Sequence, residues 1–284
     1  MLAQATLPAV VFHPYYLSMP EQVNFADCYV LTNQRTYTFL LSFLHRFLPR
    51  RETYATTFEV PQHADTPEQV FTSAEDLMVY LEHHPHEVHA IYWENQEMSQ
   101  LRAAMCLFTS DGKVIVGLTS ITYYPDTSIE RDYLKQLEQF CNSRFSLIEY
   151  DTPAAKDTPA FLQRIEHHHQ QQIQKIYDVF NRRDIDTALQ LMTPDVHWPN
   201  GWEGGYINGR EEVRAYWTRQ WKEIDPHVQP LAVKLEPDGR VSVSVLQHVK
   251  DRLGKLLYDG QVTHTYTLEG GLIKHMTIED KQSP

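Results

Sequence analysis

The sequence predicts an α+β protein built in two parts. Three observations carry this. Runs that alternate apolar and polar residues are joined by hairpin signals, at Ser110-Asp111-Gly112 and again through Val241 to Glu279. Between them lie capped stretches with apolar residues at helical spacing. A segment with two prolines and no apolar period, Asp151 to Pro159, separates the halves. The expected division is residues 1–150, an α+β domain; 151–166, a linker; and 167–284, a second domain.

The chain has 284 residues, enough for two domains of ordinary size, and its 42% apolar and 22% charged content is that of a globular protein. A formal charge of -12 disfavours phosphate backbones and anionic lipid surfaces, so neither nucleic acid nor membrane is expected as a partner. Cys28, Cys106 and Cys141 are odd in number and far apart, which suggests buried thiols in a reducing compartment rather than disulfides or a zinc site. Met1 to Val11 lacks a basic segment followed by an apolar core, and no apolar run is long enough to span a bilayer. The cytoplasm is the expected location.

In the first half, residues 1–35 show strand-like pieces without a clear period. Tyr37 to Leu48 is apolar enough for a buried strand or a short helix, and Thr53 to Val60 alternates as a strand. Ser73 reads as an N-cap, with Leu77, Tyr80 and Leu81 on one helical face and Pro85 as the stop. Val88 to Trp93, Arg102 to Phe108 and Lys113 to Ile121 read as strands. Ser128 opens a helix with Tyr133, Leu134, Leu137 and Phe140 on its stripe, and Phe145 to Tyr150 closes the half as a strand. His83, His84, His86 and His89 lie close in sequence, but they straddle a helix end and a proline. A solvated turn is expected there, not a metal site. No metal and no cofactor motif is expected anywhere: there is no phosphate-binding glycine loop and no dinucleotide fingerprint.

In the second half, Ile173, Ile176, Tyr177 and Phe180 form a helical stripe. Asp184 caps a short helix running through Leu189 and Met192 to Pro194. Gly209-Arg210-Glu211-Glu212 opens a third helix bearing Tyr216, Trp217 and Trp221. Val241 to Val249, Gln261 to Leu268 and Leu272 to Glu279 follow as strands, with turns at Lys250 to Lys255 and Glu269-Gly270-Gly271.

The run Tyr177 to Asp184, the stretch Asp195 to Arg210 and the terminal Tyr266 to Ile273 together resemble SnoaL-like proteins of the NTF2-like superfamily, over about 115 residues. The resemblance implies three helices against a curved, mostly antiparallel sheet, wrapped as a cone with a pocket inside, and often a homodimer through the outer sheet face. Strand parity then selects the pocket residues: Gln247 among Val241, Val243, Val245 and Val249, and His264 and Tyr266 beside Val262 and Leu268. Tyr216, Trp217 and Trp221 would close the wide end, with Trp198 and Asn200 beside them and Tyr177 on the first helix. The opposite register, Ser242, Ser244, Leu246 and His248, would meet a second copy.

Ketosteroid isomerases of this superfamily place a carboxylate base where this chain has Asn200, and an amide cannot take up a proton. Tyr177 sits one residue from the expected helical tyrosine, and the acidic partner falls near Thr263 or His264. Steroid isomerisation is therefore disfavoured. Of the acid–base candidates His264, Asp195 and Asp280, His264 is the one expected to serve a reaction. The leading expectation is a cone that binds a small, largely apolar or aromatic molecule. Its alternatives are a lyase, isomerase or hydrolase using His264, and a non-catalytic dimerisation and protein-interaction module.

Overall fold

A computed structural model describes residues 24–280. The reading of Met1 to Val11 lies outside the described residues. The first half runs β1 (Asn24–Thr32), α1 (Tyr37–Phe47), β2 (Arg51–Thr53), β3 (Phe58–Val60), β4 (Gln69–Phe71), α2 (Ala74–His83), β5 (His89–Asn95), β6 (Leu101–Phe108), β7 (Val114–Thr122), α3 (Ser128–Cys141) and β8 (Ser146–Glu149). Six of these strands make one antiparallel sheet in the order β2-β5-β6-β7-β1-β8. The apolar stretch at Tyr37 resolves as helix, because Thr36 caps it by accepting from the Phe39 amide. The alternation over Thr53 to Val60 breaks into two short strands of different sheets. The strand at Asn24–Thr32 lies inside the sheet, where sequence alone showed no period.

Both faces of this sheet are covered, which is why β6 and β7 read as continuous apolar runs. Cys28, Val30, Cys106 and Val116 face the helices through Leu40, Phe43, Leu77 and Leu134. Tyr29, Leu31, Met105, Leu107 and Ile115 face the other way and receive Phe161 and Ile165. The three cysteines are free and buried. Arg35 is buried between α2 and the β6–β7 hairpin. Its guanidinium donates to the carbonyls of Leu81, Thr109, Lys113, His84 and Glu87, at 2.8 to 3.1 Å. The four histidines beside α2 do not converge. Each ring nitrogen with a partner meets a backbone carbonyl, of Val79, Tyr80, Ser110, Ala90 or Glu59.

The expected linker is shorter than read. Asp157 accepts from the Ala160 amide at 2.8 Å, and α4 then runs unbroken over Thr158–Asn181. Irregular chain thus occupies only 151–157 of the segment 151–166. The first turns of α4 pack Phe161 and Ile165 on the N-terminal sheet. Its last turns place Ile173, Ile176, Tyr177 and Val179 in the second core. At 24 residues it is about 36 Å long.

The second half continues with α5 (Ile185–Gln190), β9 (Met192–Pro199), β10 (Tyr206–Asn208), α6 (Arg210–Glu223), β11 (Ile224–Leu235), β12 (Val241–Asp251), β13 (Leu256–Glu269) and β14 (Leu272–Asp280). The sheet order is β10-β9-β14-β13-β12-β11, antiparallel except for β14 with β9. Register shifts at Pro230/Ala232, Val249/Lys250 and Thr267/Leu268 bend it around α4, α5 and α6. Met192 belongs to a strand and not to the helix before it. Asp195 lies on that strand and pairs with Lys274.

The β13–β14 turn ties the two halves together. Gly270 donates its amide to the buried Glu138 carboxylate at 2.8 Å, and its carbonyl accepts from Arg131 at 3.2 Å. Glu269 pairs with Lys135 at 3.0 Å, and Gly271 O accepts from Gln172 at 2.8 Å. Gly270 has φ +56, and a Cβ there would stand 2.8 Å from the Arg131 carbonyl oxygen. Burial pushes the Glu138 carboxyl up to about 7.

Candidate functional site

The bent sheet and its three helices enclose a cavity of about 640 Å³. α4 contributes Ile176, Tyr177 and Phe180, and α6 contributes Tyr216, Trp217 and Gln220. β9 brings Trp198, the loop after it Asn200 and Trp202, and the rest of the sheet supplies Gln247, Val262, His264, Tyr266, Met276 and Ile278. Strand period 2 explains the sheet set: on β13, Val262, His264 and Tyr266 are buried, while Thr263 and Thr265 between them are less so. Among the described lining residues there is no Asp, Glu, Lys or Arg.

The polar centre is a line of three side chains. Tyr266 Oη donates to Tyr177 Oη at 2.9 Å, and Tyr177 Oη lies 2.8 Å from His264 Nδ1. Tyr177 reaches this line from the helix, so its expected offset from the isomerase pattern does not turn it away from the cavity. His264 is 4% exposed, and its Nε2 is buried without a hydrogen-bond partner among the described residues. Burial holds the imidazole down at about 3, and it pushes the Tyr177 and Tyr266 hydroxyls well above their ordinary value. At neutral pH the ring is uncharged and a weak base. The acid–base role expected for His264 therefore has little chemical support as a proton acceptor. Hydrogen-bond donation does.

Aromatic packing fixes the walls. Trp217 meets Trp198 edge-on at 5.5 Å and Phe180 at 5.2 Å. Trp198, Trp217 and Tyr266 all belong to the domain core, yet each also borders the cavity. Tyr216 lines it too; its hydroxyl accepts from Gln220 at 2.8 Å and burial pushes it up to about 12. Gln247 borders the cavity and is half-buried.

Two expected ligand contacts sit differently. Asn200 borders the cavity, but its side chain is spent on the loop: Nδ2 donates to Glu203 at 2.9 Å and Oδ1 accepts the Glu203 amide at 2.8 Å. It organises a turn, as Asn does wherever a side chain can replace a backbone acceptor. Trp221 stacks behind Trp217 at 5.6 Å, against Phe180 and under the Arg183 guanidinium, and does not line the cavity. It is one helical step past the residues that do.

The sequence reading missed Phe180, Trp202, Gln220, Met276 and Ile278. Phe180 follows Tyr177 by three residues and Gln220 follows Tyr216 by four, so helical spacing placed both on the cavity face. Met276 and Ile278 share a parity on β14, which an alternation count would have found. Among the described residues no group of three or more His, Cys, Asp or Glu could hold a metal ion. No described helix is long and apolar enough to cross a membrane.

A model of the SnoaL-like domain matches residues 173–276. No curated protein matches the chain. Among solved structures, an NTF2-like protein of unknown function from Burkholderia pseudomallei is 24% identical, covering 40% of this chain and 91% of its own, with a TM-score of 0.36. A Mycobacterium tuberculosis protein in complex with estradiol-17beta-hemisuccinate is 20% identical, covering 38% and 90%, with a TM-score of 0.35. SalBIII, an epoxide hydrolase/cyclase-like enzyme in salinomycin pyran ring formation, is 16% identical, covering 41% and 93%, with a TM-score of 0.37. The helices and bent sheet that follow the N-terminal α+β region are a SnoaL-like domain of NTF2-like fold, with the family match spanning residues 173–276.

Proposed function

We propose that the SnoaL-like cone binds one small, uncharged, largely apolar molecule. The observation that carries this is the cavity of about 640 Å³ with aromatic and aliphatic walls and no charged side chain among its described lining residues. Its volume is that of ordinary small-molecule sites, and a few polar groups among apolar walls is their usual composition. A charged ligand would enter without a counter-charge, which is costly in a desolvated site. Binding is favoured over acid–base turnover for two reasons. The His264 imidazole is held at about 3, and Asn200 stands where the isomerases of the fold keep their base. The test is titration with 2-ethylnaphthalene, followed by quenching of tryptophan fluorescence. Saturable binding at one molecule per chain, abolished by the cavity-filling change Val262→Trp, is expected. Absence of saturable quenching, or quenching unaltered in Val262→Trp, would dismiss the proposal.

We also propose that two copies associate through the outer face of β12 and β13. Ser242, Ser244, Leu246 and His248 stand there half-exposed, opposite the buried valines.

A further inference from the structure

The line of hydroxyls ending on His264 sets the direction of every proton in it. Tyr266 gives its proton to Tyr177, so Tyr177 must give its own elsewhere, and the His264 Nδ1 at 2.8 Å accepts it. A neutral imidazole has one N–H. With Nδ1 accepting, that hydrogen sits on Nε2. The Nε2 atom is buried, has no partner among the described residues, and belongs to a residue on the cavity wall. A buried donor left unpaired costs about 1–3 kcal/mol, and a ligand acceptor at that point recovers it.

We propose that His264 is a specificity-determining residue whose Nε2–H reads a carbonyl oxygen on an uncharged apolar ligand. The inference rests on the binding reading above and deepens it. A carbonyl fits better than a hydroxyl, because a hydroxyl brings a proton of its own. The Tyr177 and Tyr266 protons and the Nδ1 lone pair are already committed to one another. A carboxylate fits worse than a ketone, because the described lining residues offer no cation. Tyr177 and Tyr266 are positioning residues: they fix which nitrogen carries the hydrogen.

The experiment compares three probes of similar shape on the full chain: 2-acetylnaphthalene, 2-ethylnaphthalene and 2-naphthoate. The ketone is expected to bind about tenfold more tightly than the hydrocarbon, the factor one net hydrogen bond supplies, and more tightly than the anion. In His264→Phe the ketone and the hydrocarbon should bind equally. The ¹⁵N spectrum of the wild-type protein should show the His264 hydrogen on Nε2, a readout that does not depend on the variant folding. Equal affinities for ketone and hydrocarbon in the wild-type protein, a preference for naphthoate, or a hydrogen on Nδ1 would each overturn the assignment while leaving the binding reading intact. Failure of both neutral probes to bind would remove the two together.

Discussion

Replacing Tyr177 by Phe should destabilise the C-terminal domain far more than replacing Tyr266 by Phe, although both changes delete one buried hydroxyl. Tyr177 is the middle of the line. Without its hydroxyl, Tyr266 keeps a buried donor with no acceptor and His264 Nδ1 keeps a buried acceptor with no donor. Each orphaned group costs about 1–3 kcal/mol, so roughly 2–6 kcal/mol should be lost. Removing the Tyr266 hydroxyl leaves Tyr177 still donating to His264 and orphans nothing, so about 1 kcal/mol is expected. The double variant should carry a smaller hydrogen-bond cost than Tyr177→Phe alone, because only His264 Nδ1 is then left without its partner. The two effects should therefore be less than additive. Urea unfolding read by tryptophan fluorescence measures all three, with an unchanged slope as the check that only stability moved. Equal losses in the two single variants, or a larger loss for Tyr266→Phe, would refute the assigned direction of the protons.

Arg35→Met should cost about 3 kcal/mol or more, because five carbonyls at the end of α2 and the base of the β6–β7 hairpin each lose a hydrogen bond, those of His84, Thr109 and Lys113 retaining a backbone amide; urea unfolding of the variant checks it. Burial holds His264 at about 3 and His169 at about 4, so the unfolded chain takes up those protons first. Their contribution is complete above pH 6.5 and is lost as pH falls toward 4, at up to roughly 1.4 kcal/mol per pH unit for each group. His264→Phe should flatten that slope by about one proton in urea midpoints taken across the range. Glu138 acts in the opposite sense. Its carboxyl is raised to about 7, so stability falls as pH rises from about 4.5 to 7, and Glu138→Gln should remove that fall. Sedimentation at micromolar concentration should give twice the mass of one chain, and Leu246→Asp should return it to the monomer.

Much of the cone was legible because strand parity and helix spacing are geometric. His264 and Tyr266 share a parity on β13, and the structure turns both inward with Val262. The third helix was legible from Gly209-Arg210, and α6 begins at Arg210. Three strands of the cone were not legible: the three-residue β10, and two that carry prolines. β9 ends at Pro199 and contains Pro194, and β11 contains Pro226 and Pro230. Proline usually argues against a strand, but β11 is the sheet edge, where an amide without a partner costs nothing. Asn200 and Trp221 had plausible spacing and failed for different reasons. A nearby backbone amide captured the Asn200 oxygen, and Trp221 lies one step round the helix from the cavity face. Arg35 gave no signal, since a loop arginine reveals nothing of its partners until distant carbonyls are brought to it. In the first half, β1 has apolar residues on both faces because both are covered, and this erases the period that marks a half-buried strand.

The continuous α4 makes the two domains share one rigid rod. Ile165, in the sheet-packing part, and Tyr177, at the cavity, are twelve residues apart on it, about 18 Å along the axis. A rod cannot pivot at one end alone. A tilt that opened or tightened the space around Tyr177 would drag Phe161 and Ile165 across the N-terminal sheet, against the anchor that the β13–β14 turn makes on α3. Displacements at the cone end and at the sheet end of α4 are thus mechanically one variable. A fragment cut between residues 166 and 167 would sever the lever rather than release a hinge.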